Sequence, residues 1–240
     1  MSFSASIPGI RKFITDLTRF KLLNSKSKSY KLGISLSPVL RDYRDSAGSA
    51  KGHYFWQDLI CAKWIFERSP NSHFDVASRV DGFVAHLLSF REVTILDIRP
   101  LEVTIPNLNV TLGDAQKDLS HLSGKYPSVS SLHSIEHFGL GRYGDSLDTA
   151  GHEKGLRNIS SCVAPSGTLY VSFPIGEAAI EFNAQRIIDP LWPEKILTNF
   201  ELEEFVLIPW TAQPIYGLKP SDVDTSVWGQ AGLYRFKRIS

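Results

Sequence analysis

Short apolar runs alternate with amphipathic segments between residues 73 and 173, and this alternation restricts the fold more than any other feature. Runs of strand length occupy residues 73–77, 93–98, 108–112, 129–135 and 168–173. Segments with helical spacing, at 80–89, 115–122 and 149–163, separate several of them. Strands that alternate with helices form a parallel sheet covered on both faces. We therefore predict an α/β domain with a mostly parallel sheet.

The flanking segments complete this domain. A helical segment at 193–200 is followed by apolar runs at 203–208 and 233–239 with no helix between them, so we predict that these two runs pair as an antiparallel hairpin. Helical spacing also predicts helices at 54–68 and 10–23. Residues 24–51 are rich in Ser, Lys, Gly and Arg, and loops of that length are usually lids or linkers. We expect residues 1–52 to form a helix with a mobile lid or linker, and residues 53–240 to form the main domain.

Bulk composition excludes several classes of protein. The formal net charge of +1 and the pI near 7.8 give no sign of a nucleic-acid partner. No apolar run is long enough to predict a transmembrane segment, and the first residues lack a signal-peptide pattern. Cys61 and Cys162 lie in apolar helical stretches, as buried thiols do in a reducing compartment. These features predict a cytoplasmic protein and leave its oligomeric state open.

Acidic residues stand where the first three predicted strands end. In open α/β sheets ligands bind beyond the carboxyl ends of the strands. Asp97 follows Asp75 at about the 20-residue spacing at which an acid accepts the ribose hydroxyls of a bound nucleoside. Asp114 stands where a carboxylate meets an adenine amino group. Because Asp is also a common helix N-cap, each acid has a purely structural alternative.

The fourth strand leads into a polar, glycine-rich stretch. His133, Glu136 and His137 are followed by three glycines, at 139, 141 and 144, that formally match G-x-G-x-x-G. A dinucleotide loop needs a helix that starts inside the motif. Asp145 and Asp148 instead look like caps of a helix that begins afterwards. The stretch therefore favours a glycine loop that shapes a catalytic pocket over a dinucleotide site.

Two motifs resemble class I S-adenosylmethionine-dependent methyltransferases: "SLHSIEHF", and after a helix "CVAPSGTLYVSFP". The combination of "DVASRVDGF", "LDIRP", "EHFGLGRYGD" and "FPIGEAAIEFNAQR" resembles more narrowly DUF268, a bacterial and nematode family of unknown function that is taken to be methyltransferase-like. The resemblance implies a Rossmann-like class I methyltransferase fold. Its sheet would have seven mostly parallel strands with the last one reversed.

The resemblance also implies a cofactor site for S-adenosyl-L-methionine, with Asp97 on the ribose and Asp114 at the adenine. The residues that we assign to it are Asp75, Ala77, Arg79, Gly82, Asp97, Ile98, Asp114, Ala115 and His133. The chain departs from the family pattern at the first loop, where Ala77 and Arg79 replace glycines. Arg79 suits two opposite roles, since its planar fork of donors can bind the methionyl carboxylate or its bulk can shut the site.

Methyl transfer to oxygen usually needs a base for the proton of the nucleophile. We predict His137 as that base because an imidazole titrates near neutrality. Glu136 would orient a neighbouring group, and Arg142 would bind an anionic group of the substrate. Substrate contacts are assigned to Tyr143, Asp145, Asn183 and Arg186. A less favoured alternative makes His133, Glu136 and His137 the ligands of a divalent metal ion, because their spacing resembles the magnesium ligands of some quinone O-methyltransferases.

These observations favour an S-adenosylmethionine-dependent methyltransferase, acting by O-methylation on a sugar or another small hydroxylated molecule. The sugar, and a place in glycan biosynthesis, rest only on the association of the resembling family with surface-polysaccharide genes. Two alternatives stay open: a non-catalytic methyltransferase-like binding module, and a nucleotide- or NAD-binding enzyme of another class.

Overall fold

The computed structural model describes residues 7–27 and 33–239. These fall into two compact units, one ending at Ser49 and the other beginning at Ala50. The first unit contains helix α1 (Ile7–Lys26), which confirms the helix predicted at 10–23, and a 3-10 turn at Asp42–Arg44. Part of the predicted lid, residues 28–32, lies outside the described residues, and the role of the lid stays a prediction. In the described ranges, no helix is long and apolar enough to cross a membrane.

The second unit is built on strands that follow the predicted alternation. In chain order they are β1 (His73–Val76), β2 (Val93–Asp97), β3 (Leu108–Leu112), β4 (Tyr126–Leu132), β5 (Val163–Ile175), β6 (Ala179–Glu181), β7 (Gln185–Ile187), β8 (Phe200–Pro209), β9 (Ile215–Tyr216) and β10 (Gln230–Arg238). Eight of them form one sheet in the order β3-β2-β1-β4-β5-β10-β8-β9, and β6 pairs with β7 in a separate ribbon.

The direction of the strands confirms the predicted sheet. Strands β1 to β5 are parallel, whereas β10 is antiparallel to β5 on one side and to β8 on the other. The predicted hairpin of the last two long strands is therefore confirmed, and the last strand is reversed. The strand count differs from seven because the two-residue strand β9 extends the edge beside β8. Neither β9 nor the β6–β7 ribbon was predicted, since strands of two or three residues show no periodicity.

Helices cover both faces of the sheet. Helices α2 (Gly52–Arg68) and α3 (Ala85–Leu88) pack on one face, and a π-helical turn (Val80–Val84) leads into α3. Ile65 of α2, Phe83 of the turn and Leu87 of α3 are buried in the apolar cluster of this face. Helix α4 (Gly151–Ser161) buries Leu156 and Ile159 in the apolar cluster of the other face, next to the short helix α5 (Trp192–Ile196). Cys61 and Cys162 are buried and free, as predicted.

The helix predicted at 115–122 was largely wrong. Only Ser120–Leu122 is helical, as a 3-10 turn. The carboxylate of Asp114 accepts a hydrogen bond from the backbone amide of Gln116 at 2.9 Å, and Asp118 does the same for the amide of Ser120 at 2.8 Å. Such side-chain bonds stabilise turns at the expense of a continuous helix.

A buried polar network ties β1 to β4 beneath the site. Ser130 Oγ donates to Asp75 Oδ1 at 2.5 Å, so it must accept from His73 Nε2 at 2.8 Å. His73 Nδ1 then accepts from Ser128 Oγ at 2.7 Å, which defines a neutral ring with its proton on Nε2. Burial lowers the pKa of His73 to about 3.

This network predicts a pH-dependent stability. Between about pH 6.5 and pH 3 the unfolded chain binds one more proton at residue 73 than the folded chain, so stability falls as the pH falls. From pH 7 to pH 5 the contribution is about 2 kcal/mol, given ~1.4 kcal/mol per pH unit. Between pH 7 and pH 5, the unfolding free energy of His73→Gln should therefore fall by about 2 kcal/mol less than that of the wild type. Urea unfolding at both pH values measures this difference.

The variant is needed to separate the effect of His73 from that of Asp75. Burial raises the pKa of Asp75 to about 6, so this carboxyl group increases the unfolding free energy as the pH falls, opposite to the effect of His73. The matched control is His121→Gln, since His121 is an exposed imidazole. It should reproduce the wild-type difference between the two pH values. An identical fall in the His73→Gln protein would show that residue 73 does not titrate on unfolding.

Candidate active site

The carboxyl ends of β1 to β4 surround a cavity of about 300 Å³, which we call the strand-end cavity. Small-molecule sites typically measure about 300–1,000 Å³. Most of the predicted site residues line it: Ala77, Arg79, Asp97, Ile98, Asp114, Ala115, His133, His137, Arg142, Tyr143 and Asp145. The other lining residues were not predicted: Tyr54, Val76, Leu96, Arg99, Gly113, Gln116, Ser134 and Phe138. The cavity thus brings together segments that lie far apart in the chain.

The loop after β1 adopts the backbone shape that a glycine would favour. Ala77 has φ +59°, in the left-handed region, and its amide donates to the Leu96 carbonyl at 2.9 Å. This conformation costs a non-glycine residue roughly 1–2 kcal/mol. The alanine therefore keeps the loop conformation of a glycine, and its small side chain leaves space in the cavity.

Asp75 and Gly82, both predicted to contact the cofactor, do not line the cavity. Asp75 is fully buried below the loop, and its carboxylate accepts from the amide and the hydroxyl of Ser78 at 3.0 and 2.7 Å. Gly82 packs against Asp58, where an added Cβ would lie 2.5 Å from Asp58 Oδ2. Both residues shape the loop, and the cofactor contact assigned to each of them stays a prediction.

Arg79 lies at the rim of the strand-end cavity without blocking it. Its guanidinium binds Asp81 through two hydrogen bonds, of 3.1 and 2.8 Å, and lies 5.5 Å from the ring centre of Tyr54. More than half of its side chain is exposed. Of the two roles considered for Arg79, the structure does not support closure of the site.

The carboxylate of Asp97, at the end of β2, is engaged by Arg99. Asp97 Oδ1 accepts from the Arg99 amide at 2.8 Å and from Arg99 Nε at 2.9 Å, and Oδ2 accepts from Nη2 at 2.7 Å. The Arg99 guanidinium also lies 4.6 Å from the ring centre of Tyr143. A ribose that binds Asp97 must therefore compete with the side chain of Arg99.

The residues after β4 form a compact buried cluster of titratable groups. His133 Nδ1 lies 3.0 Å from Glu136 Oε1, and His137 Nε2 lies 3.8 Å from the same oxygen. Glu136 is fully buried, and neither of its oxygens has a well-aligned hydrogen-bond donor among the described residues. Burial lowers the pKa of His137. The imidazole of His53 stacks on His133 at 5.3 Å, and burial lowers the pKa of His53 to about 4.

The glycine loop that follows is organised by Asp145. Its carboxylate accepts from the amides of Gly139, Gly141 and Tyr143, at 2.7, 3.3 and 3.2 Å. No helix begins inside the loop, because α4 starts only at Gly151. The requirement of a dinucleotide fingerprint is therefore not met.

Arg186 supports this loop from below and lines neither of the cavities described here. It is buried, and its guanidinium donates to the carbonyl oxygens of Glu136, Phe138, Asp148 and Thr149. These contacts give Arg186 a structural role in the loop, and the substrate contact assigned to it stays a prediction. Asn183, in the turn between β6 and β7, also lies outside the residues that line the two cavities.

A second cavity, of about 550 Å³, opens between the β6–β7 ribbon and the loop before β10. We call it the ribbon cavity. It shares four residues with the strand-end cavity, and these form the boundary between the two: Tyr54, His133, His137 and Arg142. Its other walls include His53, Glu177, Glu181, Gln185, Trp210, Trp228 and Gln230. None of these seven was predicted.

The residues that the sequence analysis missed come from two kinds of position. Arg99 follows Asp97 by two residues, and an arginine so close to a strand-end acid is a signal for pairing. His53, Tyr54 and Trp210 carry no such signal, because only the packing of α2 and β8 on the sheet brings them to the site.

A metal centre gains no support. Among residues 7–27 and 33–239, no group of three or more His, Cys, Asp or Glu side chains is arranged to hold a metal ion. The alternative that made His133, Glu136 and His137 metal ligands is left without a geometric basis.

The sheet order and the reversed β10 define the fold of class I methyltransferases. The sequence profile of DUF268, described as Caenorhabditis protein of unknown function, matches residues 93–205, just under half of the chain. This match confirms the resemblance to DUF268, and three of the four motifs that carried it lie in the matched range. No curated protein matches the chain in sequence.

Solved structures share the fold at low identity. The CurJ carbon methyltransferase superposes with a TM-score of 0.53 and 14% identity, over 76% of this chain and 54% of that one, so this chain spans about half of CurJ. The N-methyltransferase NodS from Bradyrhizobium japonicum, solved with S-adenosyl-l-homocysteine, gives 0.52 and 12%, over 79% and 89%. The [4+2]-cyclase SpnF gives 0.52 and 11%, over 75% and 81%. At these identities the similarity shows the fold alone.

Proposed function

We propose that the protein is an S-adenosylmethionine-dependent methyltransferase with its cofactor in the strand-end cavity. One observation carries the proposal: Asp97 at the end of β2 and Asp114 just after β3 line one cavity together with Ala77 in a glycine-like conformation. Cofactor sites of open α/β sheets lie in this place. The NodS structure, which holds S-adenosyl-l-homocysteine on the same fold, supports the choice of cofactor.

The cavity offers groups that fit the cofactor. Asp97 would accept the ribose hydroxyls, and Asp114, one oxygen of which binds the amides of Gln116, would accept from the adenine amino group through the other. Arg79 at the rim would bind the methionyl carboxylate. When bound, S-adenosylmethionine supplies a methyl carbon that leaves sulfur for the acceptor, with the bonding electron pair remaining on sulfur.

The ribbon cavity would hold the methyl acceptor, because it meets the strand-end cavity at His133, His137 and Arg142. We propose O-methylation of a sugar or another small hydroxylated molecule. The indole of Trp228 is largely exposed and suits stacking on a sugar ring. Glu177 and Glu181 can accept hydrogen bonds from hydroxyl groups. Arg142 would bind an anionic group of the acceptor. The cytoplasmic location and the place in glycan biosynthesis belong to this proposal as well.

A second candidate is a binding module without catalysis. The observation that favours it is the ion pair between Asp97 and Arg99. In this pair, Arg99 engages the same carboxylate that we assign to the ribose hydroxyls. The fold also serves other reactions, as the name of the [4+2]-cyclase SpnF indicates. A dinucleotide enzyme is not favoured, since no helix begins in the glycine loop.

Isothermal titration calorimetry with S-adenosylmethionine, S-adenosylhomocysteine and NAD separates these functions. We expect the two adenosyl ligands to bind with a Kd of roughly 1–100 μM, about −8 to −5.5 kcal/mol, and NAD to give no isotherm. Saturation by NAD alone would assign the cavity to another nucleotide. No heat with any of the three ligands would support the non-catalytic module and contradict our proposal.

A further inference from the structure

His133 lies where the two cavities meet and has a left-handed backbone conformation. Its φ of +49° is in the left-handed region, which is uncommon for a residue other than glycine. The side chain is 5% exposed and lies beside the fully buried Glu136. Strained residues of this kind cluster at functional sites. The contacts of the ring show what it can do.

The pair of His133 and Glu136 defines which ring nitrogen is free. Nδ1 lies 3.0 Å from Glu136 Oε1, although this contact is not well aligned as a hydrogen bond in the conformation described. We infer that Nδ1 carries the hydrogen, because a carboxylate oxygen can accept it after a small rotation of either side chain. Nε2 then has the lone pair. This nitrogen has no hydrogen-bond partner among the described residues. The arrangement of a carboxylate behind an imidazole holds the tautomer of general bases in many hydrolases.

His137 is less suited to the same task. Its Nδ1 lies 2.7 Å from the carbonyl oxygen of Ala184, which can only accept, so this Nδ1 also carries the hydrogen. The nitrogen left with a lone pair, Nε2, lies 3.8 Å from Glu136 Oε1. Its lone pair is therefore close to a negative charge, whereas Nε2 of His133 has no protein atom as partner.

We propose that His133 is the proton acceptor of the methyl transfer and that Glu136 is its positioning residue. This inference rests on the proposed function and replaces His137 in the role of base. The O–H bond of the acceptor breaks, its electron pair stays on oxygen, and an N–H bond forms at Nε2 of His133. The imidazole gains the positive charge. The protonated ring would then lie directly beside the buried carboxyl group of Glu136, with 3.0 Å between Nδ1 and Oε1.

The surroundings of the His133 ring determine how the acceptor reaches it. His53, from the first turn of α2, stacks on the ring at 5.3 Å, and the neighbouring ring of Tyr54 lies tilted against it at 5.1 Å. Nε2 of His133 is buried. The acceptor must therefore displace the half-exposed ring of Tyr54. The charged or titratable groups that face His133 are Glu136, His137, His53, Tyr54, Asp58 and Arg142.

The decisive comparison is His133→Asn against His137→Asn. The amide of Asn replaces the Nδ1 donor in each case and removes Nε2, so the two variants are matched. Formation of S-adenosylhomocysteine is followed with methyl α-glucopyranoside, methyl α-mannopyranoside and glucuronate as acceptors. We expect His133→Asn to lose about 10²–10⁴ in turnover, and His137→Asn to lose clearly less. A larger loss in His137→Asn would return the role of base to that residue.

A second readout does not depend on turnover. In ¹⁵N spectra of the histidine rings of the full chain, assigned with His133→Asn, we expect His133 in the Nδ1–H form. In Glu136→Gln, which keeps the volume and removes one acceptor oxygen beside Nδ1, we expect a larger share of the Nε2–H form of His133. An Nε2–H tautomer in the wild type, or a tautomer population unaffected by Glu136→Gln, would overturn the inference.

Failure of the inference and failure of the proposed function are distinguishable. Wild-type protein that does not bind S-adenosylmethionine in calorimetry contradicts the function, whatever the tautomer of His133. Wild-type protein that binds and turns over, together with an equally active His133→Asn, contradicts only the inference. Cofactor affinity of each variant within about threefold of the wild type shows that the variant is folded.

Discussion

Replacing Asp97 with alanine is expected to weaken the binding of S-adenosylmethionine by roughly ten- to hundredfold or more. Hydrogen bonds to a charged group contribute about 1.5–3 kcal/mol each, and each 1.4 kcal/mol is a factor of ten in Kd. In the wild type, binding of the ribose breaks the ion pair between Asp97 and Arg99, and this loss offsets part of the binding free energy. The offset is small, because a half-exposed ion pair contributes only about 0.2–1 kcal/mol. The ribose hydroxyls should therefore displace Arg99, and calorimetry measures the difference.

Asp189→Ala is the matched control for this experiment. Like Asp97, Asp189 accepts from the amide two residues later, that of Leu191 at 2.8 Å, and pairs with a basic side chain, Lys195, at 3.3 Å. It lines neither cavity. We expect its isotherm to match the wild type. An unchanged isotherm for Asp97→Ala would remove Asp97 from the cofactor site.

Arg99→Ala tests the competition directly. With the guanidinium removed, both oxygens of Asp97 are free of side-chain donors before the cofactor binds. The affinity for S-adenosylmethionine should then rise by up to about fivefold, the equivalent of ~1 kcal/mol. Weaker binding would instead show that Arg99 contributes to the cofactor site.

The fold could be predicted from the sequence because its signals are local. Apolar runs of five to seven residues separated by helices are sufficient to predict a parallel sheet. The absence of a helix between the last two runs is sufficient to predict that they pair as a hairpin. Asp97 and Asp114 could be placed at one cavity because β2 and β3 are neighbours, with Asp97 opposite Leu112. Local patterns fail where side-chain hydrogen bonds compete with a helix. This happens after β3, where the carboxylates of Asp114 and Asp118 bind backbone amides in the segment predicted as a helix at 115–122.

The site could be predicted only in part, because burial is a property of the folded chain. Asp75 and Arg186 looked like ligand-binding residues, yet one is a buried acceptor for Ser78 and the other a buried donor to loop carbonyls. Their types and spacing do not distinguish these roles. Tyr54 and Trp210 reach the cavities from α2 and the end of β8, and no pattern in their own segments indicates it. The roles assigned to the lining residues stay predictions.

Gly139→Ala is expected to lower the free energy of unfolding by about 2–5 kcal/mol, the sum of a steric clash and a backbone cost. Gly139 has φ +79°, and an added Cβ would lie 2.0 Å from the carbonyl oxygen of Asp148. That backbone cannot yield easily, because the Asp148 amide donates to the Gly139 carbonyl at 3.0 Å and Arg186 holds the Asp148 carbonyl. For a chain of this size, Tm should fall by roughly 5–15 °C.

Gly144→Ala is the matched control within the same loop. Gly144 has a similar φ of +86°, but no atom lies within 4 Å of an added Cβ. Only the backbone cost of about 1–2 kcal/mol remains, so thermal unfolding should separate the two variants by several degrees. Such a difference would show that the first glycine of the motif is required for close packing against the backbone of Asp148. Equal melting temperatures would mean that the loop moves away from the clash and does not hold His137 and Arg142 in place.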